Sequence, residues 1–123
     1  MAENKDYAVR KEENGTVSIS DEVIATVAAV AAKDVDGVSS LNGSLGDDIA
    51  GMLGRKNANK GIRIQIEDDG VQIECNVIAR YGFSVVEMGK NLQTAIRAAV
   101  ESMTGLTVKN ITVNVCGITA GAK

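Results

Sequence analysis

Two aspartate pairs, Asp47-Asp48 and Asp68-Asp69, are the first candidates for chemistry in this chain. Paired carboxylates can share a proton or hold a hard cation. Asp47-Asp48 lies in a glycine-rich stretch without the ligand spacing of a calcium loop, and stabilisation of a short helix start explains it more simply. Asp68-Asp69 precedes Gly70 between two alternating runs and reads as a turn. The sequence contains no histidine, so the commonest general base and a common zinc ligand are missing. Ser18, Ser84 and Tyr81 therefore have no imidazole to activate them. Cys75 and Cys116 form no CxxC pair and each falls in a strand-like run, which suits small buried or half-buried thiols better than a metal site or a disulfide. Neither Gly43-Ser44-Leu45-Gly46 nor Gly51-Met52-Leu53-Gly54-Arg55-Lys56 has the spacing of a phosphate loop. The expectation is a protein that is not an enzyme and needs no cofactor or metal.

Arg55, Lys56, Lys60 and Arg63 make one local basic cluster. A solvated loop accounts for it, and docking to an acidic partner, a membrane surface or nucleic acid is the alternative. The chain has 123 residues, 13 Lys and Arg against 16 Asp and Glu, and a formal charge of -3. That balance argues against general polyanion binding. With no Trp, one Phe and two Tyr, few side chains can stack on bases, and nucleic acid is not the expected partner.

The elements that position these residues follow from periodicity. Thr16-Val17-Ser18-Ile19 alternates as a short strand, and Ser20 caps a helix in which Val23, Ile24, Val27, Val30, Ala31 and Val35 recur at helical spacing, with Ala25, Ala28, Ala29 and Ala32 on its flanks and Gly37 as its stop. Ile62, Ile64 and Ile66 alternate before the Asp68-Asp69-Gly70 turn, and Val71, Ile73, Cys75, Val77 and Ala79 alternate after it, the strongest hairpin signal in the chain. Ser84 and Glu87 form a capping box, with Phe83 and Met88 spaced as a hydrophobic staple. The helix they open buries Met88, Leu92, Ala95, Ile96, Ala99, Val100 and Met103 and stops at Gly105. A last strand turns Ile111, Val113 and Val115 inward, and Lys109-Asn110 shifts its parity, which predicts a bulge or a late start.

The predicted fold class is α+β: a small four-stranded, mainly antiparallel sheet in the order β-α-β-β-α-β, with two helices on one face. Residues 1–14 are expected to be a flexible leader, 15–118 a single domain with a glycine-rich insert at 43–59, and 119–123 a flexible tail. The start is polar and the longest apolar run, Val23 to Ala32, is too short to span a bilayer, so the default location is the cytoplasm. The outward sheet positions are polar, with no base-stacking surface, and offer a face for self-association or partner docking.

The run Asn14-Gly15-Thr16-Val17-Ser18-Ile19-Ser20-Asp21-Glu22-Val23-Ile24 resembles the opening of the alkaline shock protein family of Gram-positive and related bacteria. Tyr81-Gly82-Phe83-Ser84-Val85-Val86-Glu87, Met103-Thr104-Gly105-Leu106 and Asn110-Ile111-Thr112-Val113-Asn114-Val115 continue the likeness, which covers about residues 13–118. The resemblance implies a small non-enzymatic protein of cell-envelope homeostasis and alkaline or general stress. It implies self-association and recruitment by a small integral-membrane partner, with the protein peripheral at the inner face of the membrane. It carries over no catalytic residue. The first places to seek a partner surface are Arg55, Lys56 and Lys60 with Arg63, and the loop Arg80-Tyr81-Gly82, although Tyr81 equally suits a role in locking its turn. The competing reading is an RNA-binding or ribosome-associated module using Arg55, Lys56 and Lys60.

Overall fold

The computed structural model describes residues 7–41 and 61–120. The chain runs β1 (Tyr7–Glu12), β2 (Gly15–Ser20), α1 (Asp21–Lys33), β3 (Val38–Leu41), β4 (Ile62–Glu67), β5 (Gly70–Arg80), α2 (Val85–Thr104) and β6 (Val108–Thr119).

β1 and β2 form an antiparallel hairpin in which Glu12 faces Gly15 across the two-residue turn Glu13-Asn14. Residues 7–12 of the expected leader form strand β1, and the strand over 16–19, expected in the main sheet, pairs in this hairpin instead. Ala8 is buried, and Ile19, its cross-strand partner, packs against the core. Arg10, on the same face, donates to the carbonyl of Gly105 at 2.9 Å and thereby ties the hairpin to the far end of α2.

Ser20 caps α1 by accepting from the Val23 amide at 3.3 Å. The buried face of this helix is not the valine stripe. Ile24, Ala25, Ala28, Ala29 and Ala32 are buried, while Val23 and Val30 stand 49% and 61% exposed. Alanine lets the backbone of α1 approach α2 and the sheet closely, and a valine row would hold it off. The helix closes on Asp34, and Gly37, at φ 95°, turns the chain into β3.

The main sheet has four strands in three lanes. β5 is central. One edge of it pairs with β6 in parallel from Val71 to Arg80. The other edge is shared, β4 pairing antiparallel with residues 70–75 and β3 with residues 77–79. The expected antiparallel order of four strands is thus replaced by a mixed sheet beside a separate hairpin. The parallel pair exists because α2, 20 residues long, carries the chain back along β5 before β6 begins. Pairing shifts from Val71/Val108 to Gln72/Asn110, which places the anticipated bulge at Lys109, and from Val77/Val115 to Ile78/Gly117, which places a second bulge at Cys116.

Both helices cover one face of this sheet. Val71, Ile73, Cys75, Val77 and Ala79 meet Ile24, Ala28 and Ala32 from α1 and Met88, Leu92, Ile96 and Val100 from α2. Each large aliphatic side chain buried here contributes about 1.5–3 kcal/mol. The α2 stripe ends on Thr104, whose hydroxyl donates to the Val100 carbonyl at 2.6 Å, and Met103 is 71% exposed where burial was expected. Gly105, at φ 73°, closes the helix in the left-handed region as its position predicts.

Candidate interaction surface

The β5–α2 connection is pinned at both ends. The amide of Arg80 donates to the Gly37 carbonyl at 2.8 Å, and that of Tyr81 to the Thr119 carbonyl at 2.9 Å. Gly82 makes the turn at φ 104°. Ser84 Oγ then accepts from the Glu87 amide at 3.2 Å and starts α2. Phe83 lies against Gly37, where an added Cβ would come within 3.1 Å of the phenylalanine side chain. The half-exposed Phe83 therefore covers the start of β3 as well as opening the helix.

This rigid loop presents apolar surface. Tyr81 is 74% exposed in the loop and Val86 64% in the first turn of α2, and Ile118, paired with Ala79 near the end of β6, is also exposed. Among the described residues neither the Tyr81 hydroxyl nor the Arg80 guanidinium has a hydrogen-bond or ion-pair partner. Tyr81 thus holds its turn through its backbone alone, and its ring is free for an outside contact. The signal for Val86 lay in the sequence: two valines precede Met88, where the buried stripe of α2 begins.

The uncovered face of the sheet is a polar network. Asn114 Nδ2 donates to Glu74 Oε2 at 2.9 Å and to Asn76 Oδ1 at 2.8 Å, and Gln72 Nε2 donates to Glu67 Oε2 at 2.6 Å. Arg63 lies 3.9 Å from Glu74, so of the basic residues singled out it belongs to this face. It faces Glu74 across the ladder, six residues before Arg80 on β5, a separation of about 20 Å at strand rise. Arg63 and Arg80 do not form one basic patch. Arg55, Lys56 and Lys60, like the insert at 43–59, lie outside the described residues.

At one corner of this face Lys109 Nζ reaches both Glu67 Oε1 and Asp69 Oδ1 at 2.8 Å. Its hydrogen bond holds each carboxyl below the ordinary carboxylate range, with Gln72 adding to the effect at Glu67. The pair in turn raises the Lys109 ammonium above its usual value, Asp69 contributing most. The arrangement ties the β4–β5 turn to the β6 bulge and leaves its carboxylates engaged.

Residues 9–120 match the model of a family defined by the alkaline shock protein 23 and described as having a cell envelope-related function. The chain belongs to the alkaline shock protein 23 family. Among its relatives in that family, YqhY of Bacillus subtilis (strain 168) is 32% identical over 104 residues, 85% of this chain and 77% of YqhY. A stress response regulator gls24 homolog of Streptococcus pyogenes serotype M3 is 23% identical over 105 residues, 85% of this chain and 59% of that protein. A solved MamM CTD aligns with 82% of this chain and 95% of its own, at 15% identity and a TM-score of 0.48. The link to stress-response proteins is at the level of the alkaline shock protein 23 family. Among the described residues no three His, Cys, Asp or Glu side chains are grouped to hold a metal ion. Both cysteines are free thiols. Cys75 is buried, and burial first, then the neighbouring Cys116, pushes its pKa up to about 12.

Proposed function

We propose that this chain is a non-enzymatic adaptor of cell-envelope homeostasis and stress response, held at the inner face of the membrane by a small integral-membrane protein that docks on the Arg80–Tyr81–Gly82 loop. One observation carries the reading. Tyr81 is largely exposed on a loop held by backbone hydrogen bonds where it leaves β5 and where it enters α2, Val86 is largely exposed in the first turn of that helix, and the Tyr81 ring has no internal partner among the described residues. A large aromatic on a rigid support is an economical anchor, since little conformational freedom is lost when it is covered. No helix among the described residues is long and apolar enough to cross a membrane, so contact with the bilayer through a protein partner suits this part of the chain. Arg55, Lys56 and Lys60 are assigned a secondary, charge-based contact with the same partner.

The test is a pull-down of the tagged full chain from gently solubilised native cells, membrane and soluble fractions kept apart. Recovery of one small integral-membrane protein from the membrane fraction, lost with Tyr81→Ala, supports the reading. Recovery of RNA or ribosomal proteins that withstand a salt wash would replace it with the nucleic-acid reading, for which the aromatic-free polar sheet face gives no support.

A further inference from the structure

The β1–β2 hairpin is lightly attached to the rest of the molecule. Neither of its strands pairs with the main sheet. Ala8 is the only buried residue of the two strands. Val17, opposite Arg10 in the register, is exposed on the same side as Ala8, and Tyr7 and Val9 are exposed on the other. Where β1 meets the body, an open groove of about 520 Å³ takes its walls from residues 7–11 and from residues 66–71 and 105–107. A two-stranded hairpin alone is marginal in water, so this one keeps its shape through what it touches.

What it touches is one small apolar seat and one polar tie. Ala8 and its partner Ile19 join the core. Apart from the Ser20 cap, where the chain runs straight into α1, one hydrogen bond joins the hairpin to the body among the described residues: Arg10 Nη1 donates to the Gly105 carbonyl at 2.9 Å. Glu12, two residues along the same face of β1, aims it. Its Oε2 lies 3.0 Å from both Nε and Nη2 of Arg10. That holds one edge of the guanidinium fork and leaves Nη1 turned to α2. The acceptor suits a cation, because the carbonyls at a helix C-terminus are the negative end of its dipole. Gly105 admits the guanidinium this closely because it has no side chain: a Cβ there would lie 3.1 Å from Arg10 Cζ.

We infer that residues 7–19 form a strap that opens as a unit while the two helices and the main sheet stay folded, and that Arg10 is its latch. A hydrogen bond from a charged donor is worth more than one between neutral groups. With so little apolar surface buried beneath the hairpin, that bond decides whether the strap is shut. Once Arg10 lets go, the hairpin has too little of its own to hold β1 against β2, so undocking and loss of the ladder come together. The opened state uncovers the end of α2 at Gly105, Leu106 and Thr107 together with the β4–β5 turn, the other walls of the groove. The Arg80–Tyr81–Gly82 loop lies at the opposite end of α2, which at 20 residues is about 30 Å long, and the inference does not depend on the docking proposed there.

Native-state hydrogen exchange of the full chain, wild type against Arg10→Met, tests it. Methionine keeps most of the hydrocarbon stem and removes the charge and the donors. In wild type the amides of the β1–β2 ladder are expected to be about tenfold or more less protected than those of β5. In Arg10→Met the hairpin amides should lose about another tenfold of protection. β5 and the buried face of α2 should keep theirs, which also shows that the variant is folded. Hairpin amides as well protected as β5 in wild type would overturn the inference, since the strap would then open only with the whole molecule. Equal hairpin protection in the two proteins would overturn it too, as would a loss in the variant spread evenly along the chain.

Discussion

A β-carbon on Gly70 would stand 2.6 Å from the carbonyl oxygen of Thr107, closer than any relaxed contact allows. That oxygen is already committed, because it accepts the Val71 amide at 2.8 Å where β5 begins. Gly70 therefore fixes how closely the β4–β5 turn approaches the entry to β6. Gly70→Ala is expected to destabilise the protein by about 1–3 kcal/mol through overpacking against backbone, measured by urea unfolding. Gly82→Ala serves as a comparison, since Gly82 shares a positive φ but its added Cβ meets nothing within 4 Å.

Lys109, Glu67 and Asp69 give that same corner a pH dependence with two limbs. The carboxyls titrate below their ordinary values of 4.5 and 3.8, so their contribution is present above those values and is lost as the pH falls through the lowered ones. The ammonium titrates above its ordinary 10.5, so its contribution is present below that value and is lost as the pH rises through the raised one. Melting temperatures of wild type and Lys109→Met should differ by a constant amount between about pH 6 and 9. The difference should shrink below about pH 4. A difference that does not change with acid would show that Lys109 acts through its hydrocarbon stem alone.

The two cysteines should behave as opposites. Cys75 is buried with its pKa raised to about 12, whereas Cys116 is exposed on β6. A maleimide at neutral pH is expected to modify Cys116 in the native protein and to reach Cys75 only after unfolding. Labelling of Cys75 without denaturant would mean that the core opens around β5.

The hairpin over 61–80 was legible because alternation and turn chemistry agree there, and the bulge at Lys109 was legible because one residue breaks the parity of β6. Both helix N-caps were legible because Ser20 and Ser84 bond the amides their positions imply. The strand β1 was not. Its buried residue is the small Ala8, and its charged side chains mask the alternation. Asn14-Gly15, beside two short runs of strand formers, was the available signal. The buried face of α1 was misread for a related reason: hydropathy ranks valine above alanine, and the closeness of α2, which selects alanine, is a tertiary fact. At the candidate surface, the sequence offered the loop Arg80-Tyr81-Gly82 as a place to seek a partner, whereas the exposure of Tyr81 and Val86 depends on where β6 ends and α2 begins to bury its stripe.

The central claim is that the exposed Tyr81 and Val86 hold a membrane-protein partner and do nothing for the fold. The measurement that tests it most directly is quantitative recovery of tagged chain in the membrane fraction, wild type against Tyr81→Ala/Val86→Ser, with unfolding free energies measured on the same proteins. The account predicts membrane recovery reduced about tenfold or more, with stability within about 1 kcal/mol of wild type. Undiminished recovery in a folded double variant would contradict it and move the search for a partner surface away from this loop.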